Sequence, residues 1–312
     1  MSDGESPFHA GERSAQERVG ARERSERGGR RMIRDFMPEE HRQFFSALPF
    51  IAVGSLDAQG RPWASIVSGE PGFVTSPTPR SLIVGAAPPS GDPLRENLRA
   101  SAALGALGIQ LETRRRNRAN GRVVWANERG FELHVEQSFG NCKQYIQSRT
   151  RKQHRAQGGS ERTESQLTAR AVALLARCDT AFVASASAEP ARGGREGVDV
   201  SHRGGLPGFI HVEAGPGRTR LTLPDFYGNF MFNTLGNIEV NPRAGLLACD
   251  FENGDLLSLS GNARVIWDGP EVRRFEGAER LLQIDVELSL FLEGALGETW
   301  SKPEYARELI RT

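Results

Sequence analysis

Cysteine is scarce in this chain, and its thiols lie far apart. Cys142, Cys178 and Cys249 are the three cysteines among 312 residues, and no Cys-x-x-Cys pair occurs. This spacing supports neither a zinc ribbon nor a disulfide framework. Few, widely spaced cysteines are typical of a reducing compartment. We therefore expect no metal site and a cytoplasmic location.

Long apolar runs and a net charge are absent as well. No run approaches the roughly 20 residues that a membrane-spanning helix needs, and no apolar signal core follows the N-terminus. The formal net charge is +1, which does not favour nucleic acid as a partner. The basic run at 114–118 lacks the aromatic residues that stack on bases, and we interpret it as a solvated strand edge. The sequence therefore favours neither nucleic acid nor a membrane as a partner.

What the sequence does contain is an internal repeat. The motif Gly-x-Pro-Gly-Phe occurs at 69–73 and again at 205–209, and on the same offset of 136 Ser65 falls on Ser201. Further matches follow in the same order, with offsets that drift by a few residues: 50–55 with 182–187, 97–98 with 237–238, 105–107 with 245–247, and 120–123 with 262–265. Several matches in one order indicate a tandem duplication.

The repeat divides the chain into five predicted segments. They are a polar N-terminal arm and helix (1–48), a divergent first barrel repeat (49–150), a linker and helix (151–178), a second repeat (179–290) and a C-terminal tail (291–312). Glu and Arg interleave from 12 to 31, which predicts a solvated, partly helical arm with Glu–Arg pairs. The alternative is that residues 8–12 fold back over a pocket.

The second repeat contains the most informative stretch, from 198 to 251. Its pattern predicts a strand, a Gly/Pro turn, a second strand, a polar turn, a short helix at 230–240 and a buried strand. Asn241-Pro242 ends the helix, because proline disfavours helix in the residue before it. A further helix is predicted at 270–282.

Three motifs in this stretch resemble the flavin-binding split barrel of the pyridoxamine 5′-phosphate oxidase-like superfamily. They are Ser201 to Phe209, Pro224-Asp225 with Gly228-Asn229, and Asn233-Thr234-Leu235 running to Asn241-Pro242-Arg243. The resemblance covers roughly residues 45–290 and implies a mainly β fold of two split barrels with short flanking helices. In that superfamily the flavin lies between the two barrels of a homodimer. A duplicated chain is therefore expected to form an intrachain pseudo-dimer, as a monomer or within a homodimer.

The resemblance implies FMN as cofactor. A flavin phosphate needs cations, hydroxyls or backbone N–H groups at a helix start, and the ring needs a flat apolar slot. From the second repeat we expect contacts by Ser201, His202, Arg203, Pro224, Asp225, Asn229, Asn233 and Thr234. From the first we expect Ser65, Arg95 and Lys143, with Trp63 beside Ser65 on the facing wall. Turns and helix caps use the same residue types, so these residues also have a purely structural interpretation.

Two positions depart from the family pattern. The phosphate turn reads Phe230-Met231-Phe232 where many relatives carry Arg or Arg-Lys, and Leu256 stands five residues before Gly261 where related oxidases use Gln. Arg203, or a cation from the other half, is expected to substitute. The predicted function is an FMN-dependent oxidoreductase acting on an unidentified small molecule, with no catalytic residue assigned. The alternatives are a non-catalytic flavin- or haem-binding protein for storage or sensing, and a reductase that uses a deazaflavin.

Overall fold

The computed structural model describes residues 5–215 and 217–310, so residues 1–4 of the predicted arm and 311–312 of the predicted tail lie outside it. The fold is mainly β. Among the described residues no helix is long and apolar enough to cross a membrane. The α-helices are α1 (Ala10–Arg18), α2 (Arg22–Met32), α3 (Glu39–Ser46), α4 (Leu94–Asn97), α5 (Ala169–Arg177) and α6 (Asn233–Val240).

The strands fall into two similar sets, and the connection between them contains two further short strands. The first half contains β1 (Phe50–Leu56), β2 (Pro62–Ser68), β3 (Val74–Thr75), β4 (Ser81–Val84), β5 (Ala103–Gln110), β6 (Arg115–Asn127) and β7 (Gly130–Asn141). The connection contains β8 (Arg151–His154) and β9 (Ser160–Glu164). The second half contains β10 (Thr180–Ala186), β11 (Val198–Gly204), β12 (His211–Gly215), β13 (Arg218–Phe226), β14 (Arg243–Asp250), β15 (Asp255–Ile266) and β16 (Ala278–Leu292), and β17 (Glu298–Trp300) follows.

The two halves have the same strand order. The first sheet runs β2-β1-β5-β6-β7-β4-β3, and the second runs β11-β10-β14-β15-β16-β13-β12, with β9 added beside β16. Each strand of the first sheet thus corresponds to the strand nine positions later in the chain. An identical order in two successive sheets is what the internal repeat predicts, and the chain folds as two split barrels.

The repeated Gly-x-Pro-Gly-Phe motif forms the same turn in both halves. A Cβ on Gly69 would lie 2.5 Å from the ring of Phe73, and a Cβ on Gly205 would lie 2.4 Å from the ring of Phe209. Contacts this short leave no room for a side chain. Glycine is therefore required at the start of the motif, because the aromatic ring folds back onto its backbone.

The strand register corrects two of the sequence matches. Val53 pairs with Ser65 as Val183 pairs with Ser201, so β1 and β10 align at an offset of 130 rather than 132. The matching bulges of β6 and β15 lie at Gly121 and Gly261, so the match of 120–123 with 262–265 was also wrong by two residues. A shift of two keeps each side chain on the same face of its strand, so the apolar pattern could not reveal either error.

A hydrophobic core lies inside each half, and a third core lies between them. The core between the halves uses equivalent positions of both: Ala64 and Leu107 from the first half, Val200 and Leu247 from the second. All four are buried almost completely. The halves therefore associate as the subunits of an obligate dimer do, through an apolar interface.

The backbones of the two halves also approach each other at equivalent glycines. A Cβ on Gly105 of β5 would lie 2.5 Å from the carbonyl oxygen of Val198 in the second half. A Cβ on Gly245 of β14 would lie 2.4 Å from the carbonyl oxygen of Pro62 in the first half. This reciprocal contact relates the halves as a pseudo-dimer within one chain.

The segment predicted as a solvated arm folds into α1 and α2 and packs on the second half. Phe8 and Gln16 are inaccessible to solvent, and Glu12 is 3% exposed. A Cβ on Gly11 would lie 2.1 Å from the carbonyl oxygen of Gly236, so α1 and α6 touch along their backbones. The interleaved Glu and Arg residues correctly indicated helices, but the buried face is made of glycine, alanine and polar residues and gave no apolar signal.

Residues 270–282 do not form the predicted helix. A short 3₁₀ turn at Val272–Arg274 is followed by β16, which pairs with β15 on one side and with β13 on the other. The spacing of apolar residues from 278 to 286 fits both the two-residue period of a strand and the 3.6-residue period of a helix. Pairing with two neighbouring strands decides the conformation, and a short sequence window does not contain that information.

Candidate functional site

A cleft of about 920 Å³, open to solvent, lies between the two halves. We call it the seam cleft. The second half contributes β11, the end of β13, the loop that follows it and the start of α6. The first half contributes β6 and residues 141–145, apart from 143. Small-molecule sites are often formed between domains, as this cleft is formed between the two halves.

Eight of the eleven residues proposed from the sequence line the seam cleft. β11 is the edge strand at one end of the second sheet, and β13 is the last strand but one at the other end. An ion pair of 3.5 Å between Arg203 and Asp225 joins them, so the curled sheet brings both strands to one wall. Arg280 of β16 also bonds Asp225, at 2.9 Å. The eight residues are Ser201, His202, Arg203, Pro224, Asp225, Asn229, Asn233 and Thr234.

The other three residues lie outside this lining. Ser65 is buried on β2, where its hydroxyl donates a hydrogen bond of 2.6 Å to Asp92. Arg95 lies in α4 and donates to a nearby carbonyl oxygen. Lys143 is exposed, between two lining residues. Trp63 is 2% exposed and is likewise outside the cleft lining.

β6 brings two arginines into the cleft that were interpreted as part of a solvated strand edge. β6 lies between β5 and β7, so it is not an edge strand. Arg118 is 2% exposed, forms an ion pair with Asp199 and donates a hydrogen bond of 2.6 Å to Ser201. Arg116 donates to Nδ1 of His202 at 2.9 Å. Alternate residues of the basic run, Arg116 and Arg118, therefore line the cleft. Only the other arginines of the run fit the interpretation as a solvated strand edge.

Arg116 is a cation without a carboxylate partner among the described residues. Burial lowers its pKa to about 10, which leaves the guanidinium charged at neutral pH. A partly buried charge without a counter-ion is costly. An anionic ligand would supply the missing partner.

The position of Arg116 could have been found from the sequence. Arg116 stands five residues before Gly121, just as Leu256 stands five residues before Gly261. Leu256 lies in the second repeat. In the pseudo-dimer, however, the first half contributes the corresponding strand, β6, to the cleft of the second half. Counting back from both glycines would have identified the arginine.

His202 is a neutral histidine with one free nitrogen. It is 4% exposed, and burial, together with Arg116 and Arg203, holds its pKa well below the usual value. A guanidinium can only donate, so Nδ1 accepts the bond from Arg116 and the proton is on Nε2. Nε2 has no partner among the described residues. His202 therefore offers an unused hydrogen-bond donor.

Five buried polar atoms of cleft-lining residues lack a hydrogen-bond partner in the described part of the chain. Leaving such a group unsatisfied costs about 1–3 kcal/mol. Four are donors, and the fifth is a hydroxyl that can donate or accept. This excess of donors favours an acceptor-rich ligand over a donor-rich one. The atoms are Nε of Arg116, Nε of Arg118, Nδ2 of Asn141, Nε2 of His202 and Oγ1 of Thr234.

Strained backbone surrounds the same cleft. Tyr145, Phe230 and Phe232 have φ of 61°, 58° and 59° and all line it. Bulky side chains rarely adopt left-handed angles, and such strain is concentrated at functional sites. Because Phe230 and Phe232 are not helical, α6 begins at Asn233, three residues later than predicted. No side chain caps the start of this helix. Its first-turn N–H groups are therefore available to an anion.

The equivalent position on the other side of the pseudo-dimer is apolar. Leu256 and Leu292 pair across β15 and β16 as Arg116 and Asn141 pair across β6 and β7. Both leucines belong to the core between the halves. On β2, Ile66 and Val67 occupy the positions that His202 and Arg203 hold on β11. Among the residues that the structure describes, the duplicated chain thus has one polar cleft of this kind.

Comparison with protein-family models finds no match, and comparison with curated proteins finds none either. Several solved structures are similar. The neighbours are pyridoxamine 5′-phosphate oxidase-like split barrels. They include HupZ of Group A Streptococcus, 15% identical over 39% of this chain and 92% of HupZ, with a TM-score of 0.30. A putative pyridoxamine 5′-phosphate oxidase from Lactobacillus delbrueckii is 15% identical over 40% of this chain and 93% of its own, with a TM-score of 0.30.

A third neighbour is the haem storage protein HutZ from Vibrio cholerae. It is 14% identical over 39% of this chain and 93% of its own, with a TM-score of 0.26. Because identities and TM-scores are this low, the fold of this chain rests on the strand order and register described above. The ligands of the neighbours are properties of those proteins.

Proposed function

We propose that the seam cleft binds flavin mononucleotide and that the protein is a flavin-dependent oxidoreductase acting on a small molecule. The observation that carries this proposal is the group of five unpartnered polar atoms in one cleft, beside the uncompensated charge of Arg116. FMN is rich in acceptors, with a phosphate at one end and ring carbonyl oxygens at the other. It matches this excess of donors.

The residues present fit FMN. The uncapped start of α6 and the free hydroxyl of Thr234 would hold the phosphate. Arg116 would supply the positive charge that the Phe230-Met231-Phe232 turn lacks, because Arg118 is already paired with Asp199. The stacked rings of Tyr145 and Phe226, 5.2 Å apart, give the cleft a flat aromatic wall for the flavin ring.

The bound flavin would supply the redox chemistry, and the protein would bind and orient it. His202 would contribute a fixed donor, because Arg116 holds its tautomer. The same tautomer favours flavin over haem, since an Nε2 that carries a proton cannot ligate iron. A histidine ligand would require the bond from Arg116 to break.

The test is an absorbance spectrum of the purified protein, followed by release and mass analysis of any chromophore. We expect flavin bands and one FMN per chain, because the second equivalent position is filled by leucine. A Soret band would support the haem alternative. A colourless protein that takes up no added FMN would contradict the proposal.

A reduction assay separates the remaining alternatives once FMN is bound. Reduction of the bound flavin by a nicotinamide donor would support an oxidoreductase. Binding and oxidation of a reduced deazaflavin would support the deazaflavin alternative. Flavin that neither donor reduces would favour storage or sensing.

A further inference from the structure

The N-terminal helix places a buried carboxyl group behind the start of α6. Glu12 of α1 is 3% exposed. One of its oxygens accepts a hydrogen bond from Nδ2 of Asn233, the first residue of α6. The other accepts the backbone N–H of His9 at 2.9 Å. Because Asn233 lines the seam cleft, one side chain separates Glu12 from the site.

No cation in direct contact neutralises Glu12. Within the described part of the chain, His9 is the one basic residue at ion-pair distance, at 3.6 Å. Burial lowers the pKa of His9, so its ring is neutral at pH 7. Burial, and then the nearby charge of Asp199, raise the pKa of Glu12 well above the usual value. The titratable and charged groups that face this pair are Arg13 on α1, Arg118 on β6, Glu196 before β11 and Asp199 on β11.

The positive charge of Arg118, which lies near Glu12, is already neutralised by another carboxylate. Arg118 forms an ion pair with Asp199, which also accepts hydrogen bonds from Asn120 and Asn237. An ionised Glu12 would therefore remain a poorly compensated negative charge inside the protein.

On the cleft side, the first turn of α6 is suited to an anion. The helix has no side-chain cap, and the hydroxyl of Thr234, a residue only 2% exposed, has no partner among the described residues. A phosphate bound there and an ionised Glu12 would be like charges on either side of Asn233. Like charges at short range in a buried site favour the protonated form of the carboxyl.

We propose that Glu12 takes up a proton when a phosphate-bearing ligand binds at the first turn of α6, so that binding in the seam cleft is proton-linked. The identity of the ligand as FMN rests on the proposed function, whereas the linkage requires only a phosphate. Protonated Glu12 still accepts the hydrogen bond from Asn233 but no longer repels the anion.

The linkage has a definite sign. Affinity is highest below the pKa of Glu12 in the free protein and falls as the pH rises above it, by up to about tenfold per pH unit. The second ionisation of the ligand phosphate, near pH 6, acts in the opposite direction, because the dianion binds fixed cations more tightly. The two effects can therefore be told apart.

The experiment measures the Kd for FMN and for riboflavin from pH 5.5 to 9, in the wild type, Glu12→Gln and Glu17→Gln. Riboflavin lacks the phosphate, and Glu17 is an exposed residue of the same helix. We expect Glu12→Gln to lose the weakening at high pH and to bind FMN more tightly than the wild type at pH 9, by about tenfold for each pH unit over which the wild type weakens. Riboflavin binding and Glu17→Gln should show no such change.

A second measurement needs no variant. Calorimetric titration of wild-type protein with FMN, at a pH where its affinity is falling and in two buffers of different ionisation enthalpy, counts the protons taken up. We expect uptake with FMN and none with riboflavin. Equal pH dependence in the wild type and Glu12→Gln, or the absence of proton uptake, would overturn the proposal.

Failure of the proposed function is recognised separately. If FMN does not bind, inorganic phosphate is titrated in the same way. Phosphate binding with proton uptake that Glu12→Gln abolishes would support the linkage without the flavin. Absence of phosphate binding would overturn the linkage as well.

Discussion

Arg116 of the first half donates a hydrogen bond of 2.9 Å to Nδ1 of His202 in the second half. The bond crosses the seam between the halves, and both residues line the same cleft. It fixes the tautomer of the histidine, while the guanidinium keeps a charge that no described carboxylate balances. The proposed site therefore requires both repeats, since each supplies one member of this pair.

We expect Arg116→Gln to weaken FMN binding by about tenfold or more. A hydrogen bond to a charged group contributes about 1.5–3 kcal/mol, and 1.4 kcal/mol corresponds to tenfold. Riboflavin, which has no phosphate, should lose less. The measurement is quenching of flavin fluorescence on binding. Arg115→Gln is the matched control, because Arg115 is the exposed neighbour on the same strand. Equal losses in the two variants would contradict a role for Arg116 in binding.

We expect Thr234→Val to weaken FMN binding about fivefold or more without destabilising the fold. Its hydroxyl makes no hydrogen bond in the described structure, so an isosteric replacement removes no internal partner. Affinity is measured by fluorescence and the free energy of unfolding by urea denaturation. Thr219→Val is the control, since that hydroxyl is also buried and unpartnered but lies outside the cleft. A loss of affinity in both variants would point to a general packing effect.

Much of the fold could be predicted from the sequence, because the repeat is a local signal that occurs twice. The Gly-x-Pro-Gly-Phe turns followed from the repeat, and the pseudo-dimer followed from the repeat together with the family resemblance. The buried strand after Pro242 followed from its apolar run. The exact register did not follow, since a two-residue slip leaves the apolar pattern unchanged. The helices of the N-terminal arm were expected, but their packing on α6 was not, because glycine and polar residues form that contact.

The site residues that were predicted correctly all lie in the second repeat, although counting five residues back from Gly121 would have added Arg116. Residues near Ser201 and Asn233 lie close together in the chain and carry the family motif. Arg116, Arg118 and Asn141 reach the cleft only because the two halves pack against each other. That packing is a long-range relationship, and neither the local charge pattern nor the spacing within one repeat contains it.

We expect Gly105→Ala to destabilise the protein by about 2 kcal/mol or more. A Cβ there would lie 2.5 Å from the carbonyl oxygen of Val198, so the halves would have to separate or the strands to shift. Gly245→Ala should behave similarly because its contact with Pro62 is equivalent. The free energy of unfolding is measured by urea denaturation. Gly28→Ala, in α2, should be neutral or stabilising, because a Cβ there would only touch the end of the Met32 side chain, at 3.8 Å. Equal stability of the Gly105 variant and the wild type would contradict this close contact.

We expect Asp92→Asn to stabilise the protein at neutral pH but not near pH 4. Asp92 is 2% exposed, and burial raises its pKa to about 6, above the 3.8 of the unfolded chain. A raised carboxyl pKa means that the folded protein retains the proton of Asp92 up to a higher pH than the unfolded chain does. Stability therefore falls as the pH rises from about 4 to about 6, by up to about 3 kcal/mol. Asparagine can still accept the bonds from Ser65 and the N–H of Leu94, without the charge.

The measurement for Asp92→Asn is the free energy of unfolding between pH 4 and pH 8. Asp57→Asn serves as a control of opposite sign. Burial raises the pKa of Asp57, but hydrogen bonds from Arg61 and Trp63 outweigh it and leave the pKa lowered. Asp57→Asn should therefore lose stability by a nearly constant amount from pH 8 to pH 4, because the lowered pKa places the titration below 3.8. If the stabilities of Asp92→Asn and the wild type differ by the same amount at every pH, burial does not raise the pKa of Asp92.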